Sequence, residues 1–271
     1  MPELPEVETT CRGIAPHVSQ RRVVKVIVRQ PKLRWPVPES ISIQWPGQTI
    51  TKVSRRAKYI LLHSGSGGSL IHLGMSGSLR VLSEPRAVGK HDHVDILLDN
   101  DWILRYTDPR RFGAVLWSDD AFEKHPLLNA LGPEPLGADF DGEHLFRASK
   151  GRSLAVKNLI MNGAVVVGVG NIYASESLFL AGIDPRRAAN RISLKRYVRL
   201  AKAIRDVLAA AIKAGGTTLK DFVGSDGKPG YFTQSLRVYD RLGLPCTQCG
   251  KSICRETIGQ RASYFCNHCQ R

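Results

Sequence analysis

The chain has 271 residues, 42% of them hydrophobic and 23% charged, the proportions of a globular protein with core enough for two domains. A formal net charge of +15 points to a polyanionic partner, and nucleic acid is the foremost of these. No apolar run is long enough to cross a bilayer as a helix and the first residues lack a signal-peptide pattern, which makes the cytoplasm the expected compartment.

The chain opens Pro2-Glu3-Leu4-Pro5-Glu6-Val7-Glu8. With Met1 removed, the N-terminus is a secondary amine with an ordinary pKa of about 8, partly neutral near pH 7 and able to attack a sugar carbon. The adduct would be an iminium cation, an electron sink made without a buried lysine. The same residues also read as an ordinary capped helix start, with Pro5 and the acids in favoured positions. Val7, Cys11, Ile14 and Val18 recur at helical spacing and predict an amphipathic helix over 5–18, with Cys11 in the core. Short β-branched runs at 21–30, 49–55, 58–63, 69–73, 77–82, 93–99, 102–106 and 113–117 predict strands of an antiparallel sandwich or barrel, the front helix packing on its edge or end.

The Gly-Pro-rich stretch 132–142 predicts a linker, after which the pattern turns helical. Helices are expected near 141–149, 153–162, 171–181, 193–214 and 216–223. Nine Lys and Arg cluster over 186–213 with one acid, Asp206. Glycines of Gly168-Val169-Gly170 precede the helix that Asn171 opens, leaving N–H groups for an anion, and Asn171 suits a phosphodiester. The tail holds Cys246-x-x-Cys249 and Cys266-x-x-Cys269 around sixteen residues, the spacing of a four-thiolate zinc ribbon. Such a site is closed, so the expected Zn2+ is structural; Cys254 and His268 fit neither knuckle. The expected fold is thus α+β. A catalytic β-sandwich domain spans 1–132 with its leading helix, a linker 133–140, a helical DNA-binding domain 141–234, and a zinc ribbon 235–271.

Several of these stretches together resemble the formamidopyrimidine-DNA glycosylase family of bacterial repair enzymes. They are Pro2 to Glu8, Arg56-Ala57-Lys58-Tyr59, His72-Leu73-Gly74-Met75-Ser76-Gly77 and Tyr106-Thr107-Asp108-Pro109-Arg110-Arg111-Phe112-Gly113. Gly170 to Glu176, Ser225-Asp226-Gly227-Lys228-Pro229-Gly230-Tyr231-Phe232 and the cysteine ribbon complete the set. The resemblance runs from Pro2 to the last cysteine and lifts the amine above the capped-helix alternative. It implies a glycosylase and AP lyase acting on oxidised purines in damaged double-stranded DNA, as a monomer, with a helix–two-turn–helix motif. Pro2 would be the nucleophile, Glu3 the proton shuttle, Glu6 its support and Lys58 an aid to base excision. Met75, Arg110 and Phe112 would fill the gap left by a flipped-out base, with Arg110 bonding the stranded cytosine. His91, Lys157, Asn171 and Arg261 would contact DNA, and loop 225–232 would close over the oxidised base.

Two rivals are weaker. The endonuclease VIII branch, acting on oxidised pyrimidines, usually has glycine where this chain has Leu4. A catalytically silent zinc-ribbon protein would not need Pro2, Glu3 and Lys58 intact. One departure from many relatives is Met161-Asn162 in place of Met-Asp, expected to change the helix end locally.

Overall fold

Among the described residues of the first half of the chain, alternating apolar positions form eight strands, every bonded pair antiparallel. The computed structural model describes residues 2–65, 67–84, 86–216 and 236–271, so the helix expected near 216–223, but for Gly216, and the loop 225–232 lie outside the described residues. By contact the described chain falls into two units, one of residues up to 129 with 214–216, the other of 130–213 with 236–271.

In the first unit α1 (Leu4–Val18) is followed by β1 (Val23–Val28), α2 (Ser40–Gln44), β2 (Lys52–Arg56), β3 (Tyr59–Ser64) and β4 (Gly67–His72). Then come β5 (Ser78–Leu82), β6 (Asp92–Leu98), β7 (Ile103–Thr107) and β8 (Ala114–Ser118). They pair as two sheets, β1-β6-β7-β5 and β2-β3-β4-β8, which makes the architecture a sandwich. Its core takes Val26, Val94, Ile96, Leu104 and Tyr106 from one sheet and Ile60, Leu62, Ile71, Val115 and Trp117 from the other. Each aliphatic side chain so buried is worth about 1.5–3 kcal/mol. Helix α1 adds Val7, Cys11, Ile14 and Val18, lying against the edge strands β2 and β5. Cys11 is core as expected, and burial pushes its thiol up to about 12.

Nothing in the sequence pattern predicts an element between 31 and 48, yet α2 forms there. A five-residue helix is too short to carry a repeat. It is held from outside: Ile41 and Trp45 are fully buried, and Trp45 Nε1 donates to Ser64 Oγ at 2.9 Å.

The second unit contains α3 (Gly142–Ser149), α4 (Val156–Ile160), α5 (Asn171–Ala181) and α6 (Leu194–Lys213), then the hairpin β9 (Cys254–Ile258) and β10 (Arg261–Phe265). The helix expected over 153–162 shrinks to α4 because Ala155 is extended and bridges Ala188. Helix α5 is apolar on nearly every side and ends at Gly182, whose φ of +66° suits glycine. Glu176 of α5 accepts backbone N–H bonds from Arg237, Val238 and Tyr239, each at 2.9 Å, and so fixes the chain that leads into the ribbon. Helix α6 turns Leu200, Ile204, Val207 and Leu208 inward and leaves Lys195, Arg199 and Lys202 exposed.

Candidate functional site

The start of α1 gathers Pro2, Glu3 and Glu6, all buried, with Glu3 at 2% and Glu6 at 0% exposure. Glu6 Oε2 accepts from Glu3 N at 2.8 Å, the returning half of a capping box. Pro5 occupies the second helical position, one later than expected. The capped-helix reading and the amine reading are therefore compatible: the cap is what holds the two acids beside Pro2.

Lys58 sits in a two-residue turn, since Arg56 pairs with Tyr59. Ala57 has φ +54°, a left-handed conformation that costs an alanine roughly 1 kcal/mol and that tight hairpins demand. The turn is tied to α1. Glu8 Oε2 accepts from Arg55 Nε at 2.9 Å, and Arg55 Nη1 donates to the Ala57 carbonyl at 2.9 Å. Arg12 adds a second guanidinium, at 2.7 Å, and the two arginines outweigh burial to hold the Glu8 carboxyl below its ordinary pKa.

Met75 is half-buried in the turn Leu73–Gly77, closed by Gly77 N donating to Leu73 O at 2.8 Å. Arg110 and Phe112 lie in the turn between β7 and β8, both exposed, with the guanidinium 4.9 Å from the Phe112 ring centroid. His91 is half-buried beside His93 in a cleft of about 360 Å³ shared with Gln30, Lys90, Pro109 and Arg111. His72 gained no role of its own from the sequence, although it stands in a stretch that carries the resemblance. Its Nδ1 accepts from Gly74 N at 3.0 Å. Burial, reinforced by Lys58 and Arg34 and opposed by Asp108, pushes its pKa down to about 4. The neutral ring therefore carries its proton on Nε2.

In the second unit, Asn171 is the first residue of α5 and Arg261 the exposed first residue of β10. Between β9 and β10, Gly259 and Gln260 both have positive φ, +56° and +63°, the pair a two-residue hairpin turn requires. Lys157 was expected at the DNA backbone, but its side chain is fully buried. Its Nζ donates to Asn171 Oδ1 at 2.6 Å, Ser263 Oγ at 2.5 Å and the Ala262 carbonyl at 3.2 Å. Asn171 Nδ2 also donates to the Ala262 carbonyl, at 2.9 Å. A buried ammonium needs such acceptors, and here they join the carriers of Asn171 and Arg261. Asn162, the departure noted above, accepts from Ala164 N at 3.0 Å and closes the turn after α4 without a charge.

The Sγ atoms of Cys246, Cys249, Cys266 and Cys269 all lie within 4.8 Å of one another. Four sulfurs each about 2.3 Å from one ion would stand about 3.8 Å apart, and Cys246–Cys269 and Cys249–Cys266 are at 3.9 and 3.5 Å. The donor set therefore fits one tetrahedrally held metal ion. Cys254 contacts Ser252 and Asn267 instead, and His268 Nδ1 faces Lys251 Nζ at 3.3 Å.

A sandwich led by a proline-headed acidic helix, a helical unit with its Asn171 helix start, and a four-cysteine hairpin together define a two-unit α+β enzyme class of DNA base excision. The formamidopyrimidine-DNA glycosylase N-terminal domain matches residues 1–115 and the formamidopyrimidine-DNA glycosylase H2TH domain matches residues 131–223. Relatives named formamidopyrimidine-DNA glycosylase, from Stutzerimonas stutzeri and Stenotrophomonas maltophilia, are each 60% identical over 271 residues, covering all of both chains. The crystal structure of MutM (Fpg) from Thermus thermophilus superposes with a TM-score of 0.89 at 37% identity, covering 99% of this chain and 98% of that one. A mutant Fpg from Lactococcus lactis, solved in complex with DNA containing Fapy-dG, superposes at 0.92 with 30% identity over all of both chains. The chain belongs to the formamidopyrimidine-DNA glycosylase family. It is a DNA glycosylase and AP lyase for oxidised purines.

Proposed function

We propose that Pro2, once Met1 is removed, is the nucleophile that excises 8-oxoguanine and formamidopyrimidines from duplex DNA, best opposite cytosine. The neutral amine attacks C1′ of the flipped-out nucleotide. The N–C1′ bond forms as the glycosidic C–N bond breaks, and the base leaves with the electron pair and takes up a proton. Glu3 protonates the sugar ring oxygen, the C1′–O4′ bond opens, and the positive charge comes to rest on the iminium. The iminium acidifies C2′–H, and loss of that proton expels the 3′ phosphate. A second elimination expels the 5′ phosphate, and water then frees the amine. Glu6 keeps Glu3 in place, and Lys58 supports base excision from the hairpin tip.

Met75, Arg110 and Phe112 fill the vacated gap, and Arg110 donates to the stranded cytosine. His91, Asn171 and Arg261 bind the DNA backbone, and Lys157 acts there only through Asn171 and the β9–β10 hairpin. The four thiolates hold one structural Zn2+, which keeps that hairpin folded. The sandwich of 1–132 is the catalytic domain, joined through 133–140 to the helical DNA-binding part, 141–234, and the ribbon, 235–271. The enzyme works as a monomer in the cytoplasm.

The observation that carries this reading is the burial of two carboxylates, Glu3 and Glu6, within four residues of Pro2. Burying acids is costly and is tolerated where they serve a neighbouring charge. The test is borohydride trapping on abasic DNA beside mass spectrometry of the N-terminus. Protein retaining Met1 has an amide at Pro2, whose lone pair is delocalised. It should bind DNA but give no trapped adduct and cut no strand. Full trapping by Met1-retaining protein would move the nucleophile elsewhere, and faster release of dihydrothymine than of 8-oxoguanine would overturn the substrate assignment.

A further inference from the structure

Asp108 follows β7, at the head of the turn that carries Arg110 and Phe112, and is fully buried. Its four partners are neutral. Oδ1 accepts from Ser76 Oγ at 2.7 Å and from Arg110 N at 3.3 Å, and Oδ2 from Gly113 N at 2.9 Å. Tyr106 Oη lies 3.2 Å from Oδ2 and 3.3 Å from the His72 carbonyl, sharing its one proton between them. Ser76 Oγ accepts in turn from Arg110 N at 3.2 Å. Ser76 is the residue after Met75. One carboxylate therefore bonds the turn that holds Met75 and the turn that holds Arg110 and Phe112.

The two turns approach each other so closely that neither glycine between them has room for a side chain. A Cβ on Gly74, at φ +62°, would stand 2.4 Å from Gly113 N, and one on Gly113 would stand 1.9 Å from Tyr106 Oη. Arg111 sits at φ +56°, a strained conformation for an arginine, between the two N–H groups that Asp108 holds. The two carboxylate oxygens of Asp108 therefore bond the backbone on either side of a strained residue, whose own N–H donates to the Asp108 carbonyl at 3.2 Å.

We propose that Asp108 is a positioning residue for recognition of the base opposite the lesion, holding Met75, Arg110 and Phe112 as one rigid wedge. It rests on the reading above in which those three fill the gap. The experiment uses full-length, N-terminally processed protein. Asp108→Ala should lower the ratio of kcat/KM for 8-oxoguanine opposite cytosine to that opposite adenine by about 5-fold or more, as Arg110→Ala should. Borohydride trapping on a single-stranded abasic oligonucleotide, which has no opposite base and no gap, should stay within about 2-fold of wild type, since Pro2 and Glu3 are untouched. Adding Asp108→Ala to Arg110→Ala should lower the ratio no further. An unchanged ratio in Asp108→Ala, with a lowered one in Arg110→Ala, overturns this proposal alone. Unchanged ratios in both overturn the gap-filling reading beneath it. Should Asp108→Ala fail to fold, Ser76→Ala takes its place, removing the two bonds its hydroxyl makes between the turns, to Asp108 Oδ1 and from Arg110 N. Its ratio should fall in the same direction, and an unchanged ratio there overturns the proposal.

Discussion

Arg110 and His72 each carry an expectation at the level of one side chain. A guanidinium offers fixed donors that match cytosine's acceptors and not adenine's exocyclic amine, so Arg110→Ala should cost about 1–3 kcal/mol of discrimination between the two opposite bases. Competitive excision of lesions paired with each base measures it. His72 makes a prediction about pH. Its folded pKa of about 4 lies below the ordinary value of 6.5, so between these values the unfolded chain binds more protons than the folded one. The stability it contributes is fully present above about pH 6.5 and is lost as pH falls towards 4. Replacing it by asparagine should flatten that slope, and the wild-type advantage in urea unfolding should shrink by about 1–2 kcal/mol from pH 7 to pH 5. The Arg110 expectation follows from the sequence resemblance alone, whereas the His72 one was not legible beforehand. His72 is plain in the sequence, but the burial that keeps it neutral belongs to the fold.

At the scale of elements, the β9–β10 hairpin has only five residues a strand, and an isolated hairpin of that size is marginal. The four-cysteine cluster ties it to the Cys246–Cys249 knuckle, and the buried ammonium of Lys157 and the Arg186–Glu256 ion pair tie it to the helical part. Lys157→Met keeps the stem but leaves Asn171 Oδ1 and Ser263 Oγ without their cationic donor, which should cost about 2 kcal/mol. With Asn171 and the Arg261 hairpin linked only through Asn171 Nδ2 and the Ala262 carbonyl, duplex binding should weaken whatever the sequence, and the slope of log affinity against log salt should drop by about one to two phosphates' worth. Titration of a labelled duplex at several salt concentrations measures both. An unchanged slope would mean that the hairpin keeps its place without the lysine.

For the whole molecule, a net charge of +15 and a closed thiolate site set the remaining expectations. Metal analysis of active protein should find one zinc per chain. Replacing any of Cys246, Cys249, Cys266 or Cys269 by serine should abolish both the metal and tight DNA binding, while Cys254→Ser leaves both. The eight strands, α1, α5, α6 and the cysteine cluster were all legible in the sequence, because period-two and helical repeats and Cys-x-x-Cys spacing are local signals. So was the family resemblance, carried by short stretches whose residue types are fixed by chemistry. Helix α2 was not legible, since its stability comes from Ile41 and Trp45 packing into a core made elsewhere. Nor was the true place of Lys157, whose partners lie 14, 105 and 106 residues away along the chain. The joining of the Met75 and Arg110 turns at Asp108 spans 32 residues and was equally hidden. The sequence by itself determined which chemical groups the protein has and which segments become strands and helices. Only the tertiary structure decided which charges are buried and what holds them, because desolvation and hydrogen bonding depend on neighbours in space.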